Sequence, residues 1–213
     1  MAIKPILFNT EMVRANLEGR KSCTRRLVSS RQFLGMLPDK CKNAAPDEFL
    51  KGKRMMFKPY CDMTDAELIM TEYKAPYQPG DILYVRETWK KAPNGYYYYE
   101  SWQRSNVADI TKWHPSIHMP KEAARIWLKV TDVRVERLQD ITLDGCHREG
   151  INIETSAVTD GETLNRNHDF SLEKFEILWD STVKKSDLDR YGWDANPWVW
   201  VIEFELCEKP ETL

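Results

Sequence analysis

Apolar positions along this chain alternate between strand spacing and helix spacing, with polar, Gly- and Pro-bearing stretches between them. Ile3 to Phe8 predicts a short strand. A helix follows: Asn9 or Thr10 can cap it and Glu11 suits the positive end of its dipole. Met12, Val13, Ala15 and Leu17 supply its apolar faces, and Gly19 stops it. Leu27 and Val28 predict a strand that starts near Thr24. Residues 36–65 carry Pro38, Pro46 and Pro59 among many Lys and Asp, and read as loop with one short strand from Arg54 to Phe57. A strand is expected from Leu68 to Tyr73. Gln78-Pro79-Gly80-Asp81 is a turn, and Ile82-Leu83-Tyr84-Val85 is a short buried strand after it.

Farther on, Pro93-Asn94-Gly95 is a second turn, and Tyr96-Tyr97-Tyr98-Tyr99 has the β propensity to open a strand. Residues 103–120 read as irregular. From Ala124 the pattern is a strand again, carried by Ile126, Leu128, Val130, Val133 and Val135, with a kink near Thr131-Asp132. Thr142 can cap a helix running to about Arg148 and ended by Gly150. The polar stretch 152–167 reads as loop, Phe170 to Trp179 as an amphipathic helix, and Trp198 to Phe204 as a buried closing strand. Many short strands with few helices predict an α+β fold built on a small mixed or antiparallel barrel. No repeat or linker divides the chain. Residues 1–213 therefore read as a single domain with polar insertions near 36–65 and 150–168.

Composition narrows the function classes. Apolar residues make up 42% and charged residues 30%, which excludes collagen-like, coiled-coil and disordered readings. No apolar run approaches the ~18 residues of a membrane span. The first residues lack the apolar core of a signal peptide, so a cytoplasmic protein with no membrane partner is expected. With 31 cationic and 33 anionic side chains the formal net charge is −2, which disfavours tight non-specific binding to nucleic acid. The cysteines at 23, 41, 61, 146 and 207 form no CxxC pair, so neither a disulfide framework nor a zinc ribbon is expected.

The sharpest local chemistry is the knot Arg20, Lys21, Arg25 and Arg26 around Ser22 and Thr24. Its bland reading is a helix C-terminus with cations set against the dipole. Its functional reading is an anion or nucleotide site, or an activated lysine: neighbouring cations disfavour a protonated Lys21, and a neutral amine could serve the Thr24 hydroxyl as base. Glu149 is the candidate carboxylate. It ends the 142–148 helix, where it opposes the dipole and invites a compensating cation. His114 and His118 stand four apart, but Pro115 and Pro120 interrupt a helix there, and no metal is expected.

Four blocks together make the chain recognisable. They are Gly19-Arg20-Lys21-Ser22-Cys23-Thr24-Arg25-Arg26, Pro79-Gly80-Asp81-Ile82-Leu83-Tyr84-Val85, Arg148-Glu149-Gly150-Ile151, and the strand Trp198 to Phe204. Their order and spacing resemble the ASCH domain family of the PUA-like superfamily across nearly the whole chain. Arg86-Glu87-Thr88-Trp89 and the stretch from Trp193 to Trp200 look like a longer bacteriophage and prophage branch of it. Ser22 departs from a family position where Thr is common. The resemblance implies a PUA-like mixed β-barrel with flanking helices. It also implies a cleft for a nucleobase, modified nucleoside or single-stranded nucleic acid.

One small branch hydrolyses the amide of N4-acetylcytidine with a lysine, a threonine and a glutamate. Those residues fall on Lys21, Thr24 and Glu149, which makes an amidohydrolase without metal or organic cofactor the leading expectation. Arg20, Arg26, Arg86, Trp89, Ser116 and His118 are the candidate substrate-binding residues, Trp89 as a stacking face. On this reading Lys21→Ala abolishes turnover with little effect on stability. The rival is a non-catalytic RNA- or DNA-binding regulatory module of a phage or prophage, using a patch of Arg20, Arg25, Arg26 and Arg31. A phage structural or assembly factor is a third reading.

Overall fold

The structure is a computed structural model that describes residues 1–28, 45–50, 54–58, 71–104, 112–152 and 161–211. Strand β1 (Ile3–Leu7) leads into helix α1 (Thr10–Leu17), then β2 (Cys23–Leu27). Three strands, β3 (Ala45–Leu50), β4 (Arg54–Lys58) and β5 (Thr71–Lys74), form an antiparallel meander. The segment read as loop with one strand thus contains two. The residues of 36–65 outside β3 and β4, and Leu68 to Met70, lie outside the described residues.

Strand β6 (Ile82–Arg86) is followed by the hairpin of β7 (Trp89–Ala92) and β8 (Gly95–Tyr98). Helix α2 (Tyr99–Arg104) begins on the last residue of the tyrosine run, because Tyr99 N donates to Thr88 O and turns the chain out of the hairpin. The long strand β9 (Trp127–Arg137), helices α3 (Leu143–Arg148), α4 (Gly161–Thr182) and α5 (Leu188–Tyr191), and strand β10 (Trp198–Cys207) complete the order. Helix α4 starts inside the stretch expected to be loop. It is the long helix whose apolar face was read only from Phe170 onward.

The main sheet runs β1-β6-β9-β10-β2. β1 and β6 are parallel, and the other neighbours are antiparallel. The β9–β10 ladder slips where Glu203 pairs Asp132 and Phe204 pairs Val130. Thr131 is left over as a bulge, which bends and twists the pair at the kink the sequence marks. β6 pairs the start of β9 and β2 pairs the start of β10, so the sheet curls around a core of Ile6, Phe8, Val13, Leu83, Leu128 and Trp200, among others. Arg26 Nη2 donates to Leu7 O at 2.9 Å, bringing the β2 and β1 edges together through a side chain. No ladder joins β1 to β2 among the described residues, so the sheet is curled rather than closed.

The position of β10 explains its apolar run from Trp198 to Ile202. Trp200, Ile202 and Phe204 face the inner core. Val199 and Val201 face Leu138, Ile141, Cys146, Phe175 and Trp179 beneath α3 and α4. A strand buried on both faces needs no polar alternation. Among the described residues, no helix is long and apolar enough to cross a membrane.

Candidate functional site

Two helix C-termini meet to make the site. At the end of α1 the amides of Arg20 and Lys21 both donate to Ala15 O, which wraps the chain around the helix end and turns Lys21 inward. Helix α3 is capped by Thr142, whose hydroxyl accepts from Gly145 N at 3.1 Å. It ends at Glu149, with Gly150 at φ +92° and Ile151 N returning to Cys146 O. A Cβ on Gly150 would lie 2.7 Å from the Ala15 Cβ and 3.3 Å from that of Lys21. Glycine is required there for both its backbone angle and its space. Ser22 N donates to Arg148 O at 2.9 Å, and Arg20 Nη1 to Gly150 O at 2.6 Å, locking the two ends together.

Lys21 Nζ donates to Glu149 Oε2 at 2.8 Å and to Glu149 O at 2.7 Å. Their side chains are 0% and 2% exposed. The carboxylate sits at the negative end of α3, and Lys21 is the cation that position demands. The second carboxylate oxygen, Oε1, accepts from Arg25 Nη1 at 3.3 Å. Lys21 also lies over the Phe8 ring, 5.3 Å from its centroid, and Arg26 over the same ring at 5.7 Å.

The cations around Lys21 are therefore not crowded against it, as the sequence reading assumes. Each has been drawn to its own acceptor: Arg20 to Glu18 and Gly150 O, Arg25 to Glu149 and Glu136, Arg26 to Leu7 O. Burial pulls Arg26 below the usual guanidinium range. Arg31 lies outside the described residues.

Thr24 is 1% exposed on β2, paired with Ile202, and shares the inner-core face with Arg26. Its hydroxyl makes no hydrogen bond to Lys21 or Glu149 among the described residues. Arg25, Cys23 and Leu27 take the opposite face, beneath α3 and α4. Burial drives the Cys23 thiol up to about 12 and the Cys146 thiol to about 11, so neither is a thiolate near neutral pH.

Next to the pair, a cavity of about 620 Å³ lies between α1, the turn after Glu149 and α4. Met12, Arg14, Arg20, Glu149, Lys174 and Ile177 are among its lining. Arg14 also reaches from this cavity to Glu100 Oε1 at 3.4 Å. Glu100 shares Arg125 with Glu87, whose carboxylate accepts two hydrogen bonds from Arg125 at 2.8 Å. Burial pushes Glu87 above the usual carboxylate range despite that partner.

The remaining candidates gather elsewhere, around the end of β6. Arg86 donates to Ile117 O and to the Tyr84 hydroxyl, both at 3.2 Å. Ser116 and His118 lie in a 3-10 turn around Ile117, Ser116 half-buried and His118 exposed. None of Arg86, Trp89, Ser116 and His118 lines the cavity beside Glu149. Trp89 is 8% exposed and packs against Tyr96 and His114, so the ring expected to stack on a base is a core residue. His114 pairs with Trp89 across an isolated bridge. No group of three or more metal-binding side chains occurs among the described residues.

Sequence reasoning missed Glu136 altogether, and placed Arg25 in the basic knot without pairing it with Glu149. The available signal was strand alternation: on β2 an odd-numbered arginine shares a face with Cys23 and Leu27, and so points toward the helix that ends in Glu149. Comparison of the chain with protein-family models, curated proteins and solved structures found no match.

Proposed function

We propose that the protein is an ASCH-type, PUA-like protein that takes a nucleobase or modified nucleoside into the cavity beside Glu149. Its proposed reaction is hydrolysis of the amide of an N4-acylated cytidine. The observation that carries this reading is the contact between Lys21 Nζ and Glu149 Oε2 at 2.8 Å. These are the lysine and glutamate that the family resemblance implies, brought from distant segments into one nearly dry site. The curled five-stranded sheet supports the PUA-like assignment.

The pair also supplies a route for protons. Transfer of one proton from Lys21 to Glu149 along their hydrogen bond frees the amine. The amine then takes a proton from a water in the cavity, since the Thr24 hydroxyl, turned to the inner core, bonds to neither partner. The resulting hydroxide adds to the acyl carbon, and the C–N bond breaks as the proton held by Glu149 passes to the leaving amine. One amide and one water become a carboxylic acid and cytidine.

A second reading is favoured by a specific feature. Lys21 and Arg25 occupy both oxygens of Glu149, as a purely structural ion cluster would. On that reading the cavity binds without reacting. Incubation with N4-acetylcytidine, followed by chromatography of released cytidine, separates the two. Turnover by the wild type that is lost in both Lys21→Ala and Lys21→Arg supports the hydrolase, since a guanidinium does not give up its proton. Nucleoside binding without cytidine release supports the binding module.

A further inference from the structure

Arg25 is as buried as the pair it touches: its side chain is 3% exposed. Its fork is divided between two acids. Nη1 donates to Glu149 Oε1 and Nη2 to Glu136 Oε2, each at 3.3 Å. The guanidinium lies over the Phe175 ring of α4, 5.9 Å from its centroid. A Cβ on Gly145 would come within 3.2 Å of Nη2. An aromatic ring and a missing side chain therefore shape a slot for this group.

Beyond Glu136 the charges keep alternating. Arg134 binds both Glu136 and Glu203, Glu203 binds Arg148 at 2.6 Å, and Arg148 Nε donates to Ser22 Oγ at 3.3 Å. Ser22 adjoins Lys21 and Arg148 adjoins Glu149. The network returns to the segments from which it starts.

We infer that Arg25 and Glu136 are positioning residues for the Lys21–Glu149 pair. Arg25 fixes the orientation and charge of the Glu149 carboxylate, and Glu136 sets how much of the Arg25 charge reaches it. The inference rests on the reading of Lys21 and Glu149 as the working pair. With Oε1 held by Arg25, only Oε2 is left to exchange a proton with Lys21. A buried carboxylate beside two cations keeps its charge more firmly than one beside a single cation. Glu136 competes with Glu149 for the same guanidinium.

Among the described residues, the charged and titratable groups facing Arg25 are Cys146 from α3, Glu149 just past its end, Glu136 from β9 and Cys23 from its own strand. Lys21 lies beyond Glu149, whose charge Arg26 also feels. α4 presents Phe175, and β10 presents Val201. The two thiols carry no charge near neutral pH, so among the described residues Glu149 and Glu136 are the anions that divide the Arg25 charge.

The two substitutions Arg25→Gln and Glu136→Gln therefore act with opposite sign. The test is a carbon-13 NMR titration of the Glu149 carboxyl carbon in the full chain, assigned by its loss in Glu149→Gln. It is run on the wild type, Arg25→Gln, Arg25→Lys and Glu136→Gln, beside the pH profile of cytidine release. The ionisation midpoint is expected to rise by about one pH unit or more in Arg25→Gln. It is expected to be partly restored in Arg25→Lys and to fall in Glu136→Gln, with the acid limb of kcat following each shift.

An unchanged midpoint in Arg25→Gln, or shifts of the same sign in both glutamine variants, overturns the inference. If Arg25→Gln does not fold, the downward shift in Glu136→Gln decides, and its absence overturns the inference. Opposite carboxyl shifts without cytidine release from the wild type uphold the electrostatic relationship and reject the hydrolase reading.

Discussion

Lys21 Nζ and Glu149 Oε2 stand 2.8 Å apart although 128 positions separate the residues in the chain, and neither side chain is more than 2% exposed. Removing one partner from a buried pair leaves the other as an uncompensated charge, at a cost of about 3–5 kcal/mol. Lys21→Ala is therefore expected to destabilise by about 3 kcal/mol, since Arg25 still faces Glu149. Glu149→Gln should cost more, because it strands both Lys21 and Arg25. The double variant Lys21→Met with Glu149→Gln should lose less than the two singles combined. Urea unfolding midpoints check this, and equal stability of Lys21→Ala and wild type would contradict it. The near-neutral effect expected from the sequence does not survive the burial of the ammonium.

Gly150 tests the docking of the two helix ends. Its φ of +92° and the 2.7 Å approach of an added methyl to the Ala15 Cβ act together. Gly150→Ala should cost about 2–4 kcal/mol through strain and overpacking. Gly19→Ala has φ +72° but nothing within 4 Å of a Cβ, so it should cost about 1 kcal/mol. Thermal melts of the two variants give the ratio, and a Gly150→Ala no weaker than Gly19→Ala would refute the close packing.

Asp81 carries a pH dependence of predictable sign. Burial alone would raise its pKa. The Lys4 ammonium at 2.7 Å and the amides of Ala2 and Gln78 outweigh burial and hold it below the usual carboxylate value. A depressed folded pKa means that its stabilisation is complete above the unfolded value of about 4 and is lost as pH falls through the folded value. Asp81→Asn should cost about 1–2 kcal/mol at pH 7 and markedly less near pH 2. Urea titrations at both pH values check this. An equal penalty at the two would remove the electrostatic explanation.

Nucleic-acid binding should be weak and only mildly salt-dependent. Arg25 is buried, Arg20 is held by Glu18, and Arg26 is tied to Leu7 O, which takes apart the patch that these three arginines were expected to form. With the formal charge at −2, at most one or two phosphate contacts remain to these arginines. The slope of log affinity against log salt should be no steeper than about −2. Titration of a labelled random duplex and a labelled single strand tests it. Tight duplex binding with a steep slope would favour the nucleic-acid module over the nucleoside cleft.

Local pattern alone determined the elements that frame the site. Asn9, Gly19, Thr142 and Gly150 mark the ends of α1 and α3 because capping and left-handed turns are satisfied by neighbours in sequence. The run from Trp198 to Phe204 marks a buried strand for the same local reason, and Thr131-Asp132 marks the bulge. Glu149 was legible as a carboxylate in need of a cation, because its place at a helix C-terminus is a one-dimensional fact.

Only the tertiary structure decided which cation answers it and how. Lys21, just before β2, and Arg25, on the helix-facing side of β2, reach different oxygens of Glu149, and their places follow from the pairing of β2 with β10 and the packing of α3 and α4. The same packing turned Trp89 into a core residue, sent Arg20 and Arg26 to acceptors of their own, and brought Glu136 to the far side of Arg25. Charge on a side chain is written in the sequence. Its partner is set by long-range contacts between segments that no local spacing encodes.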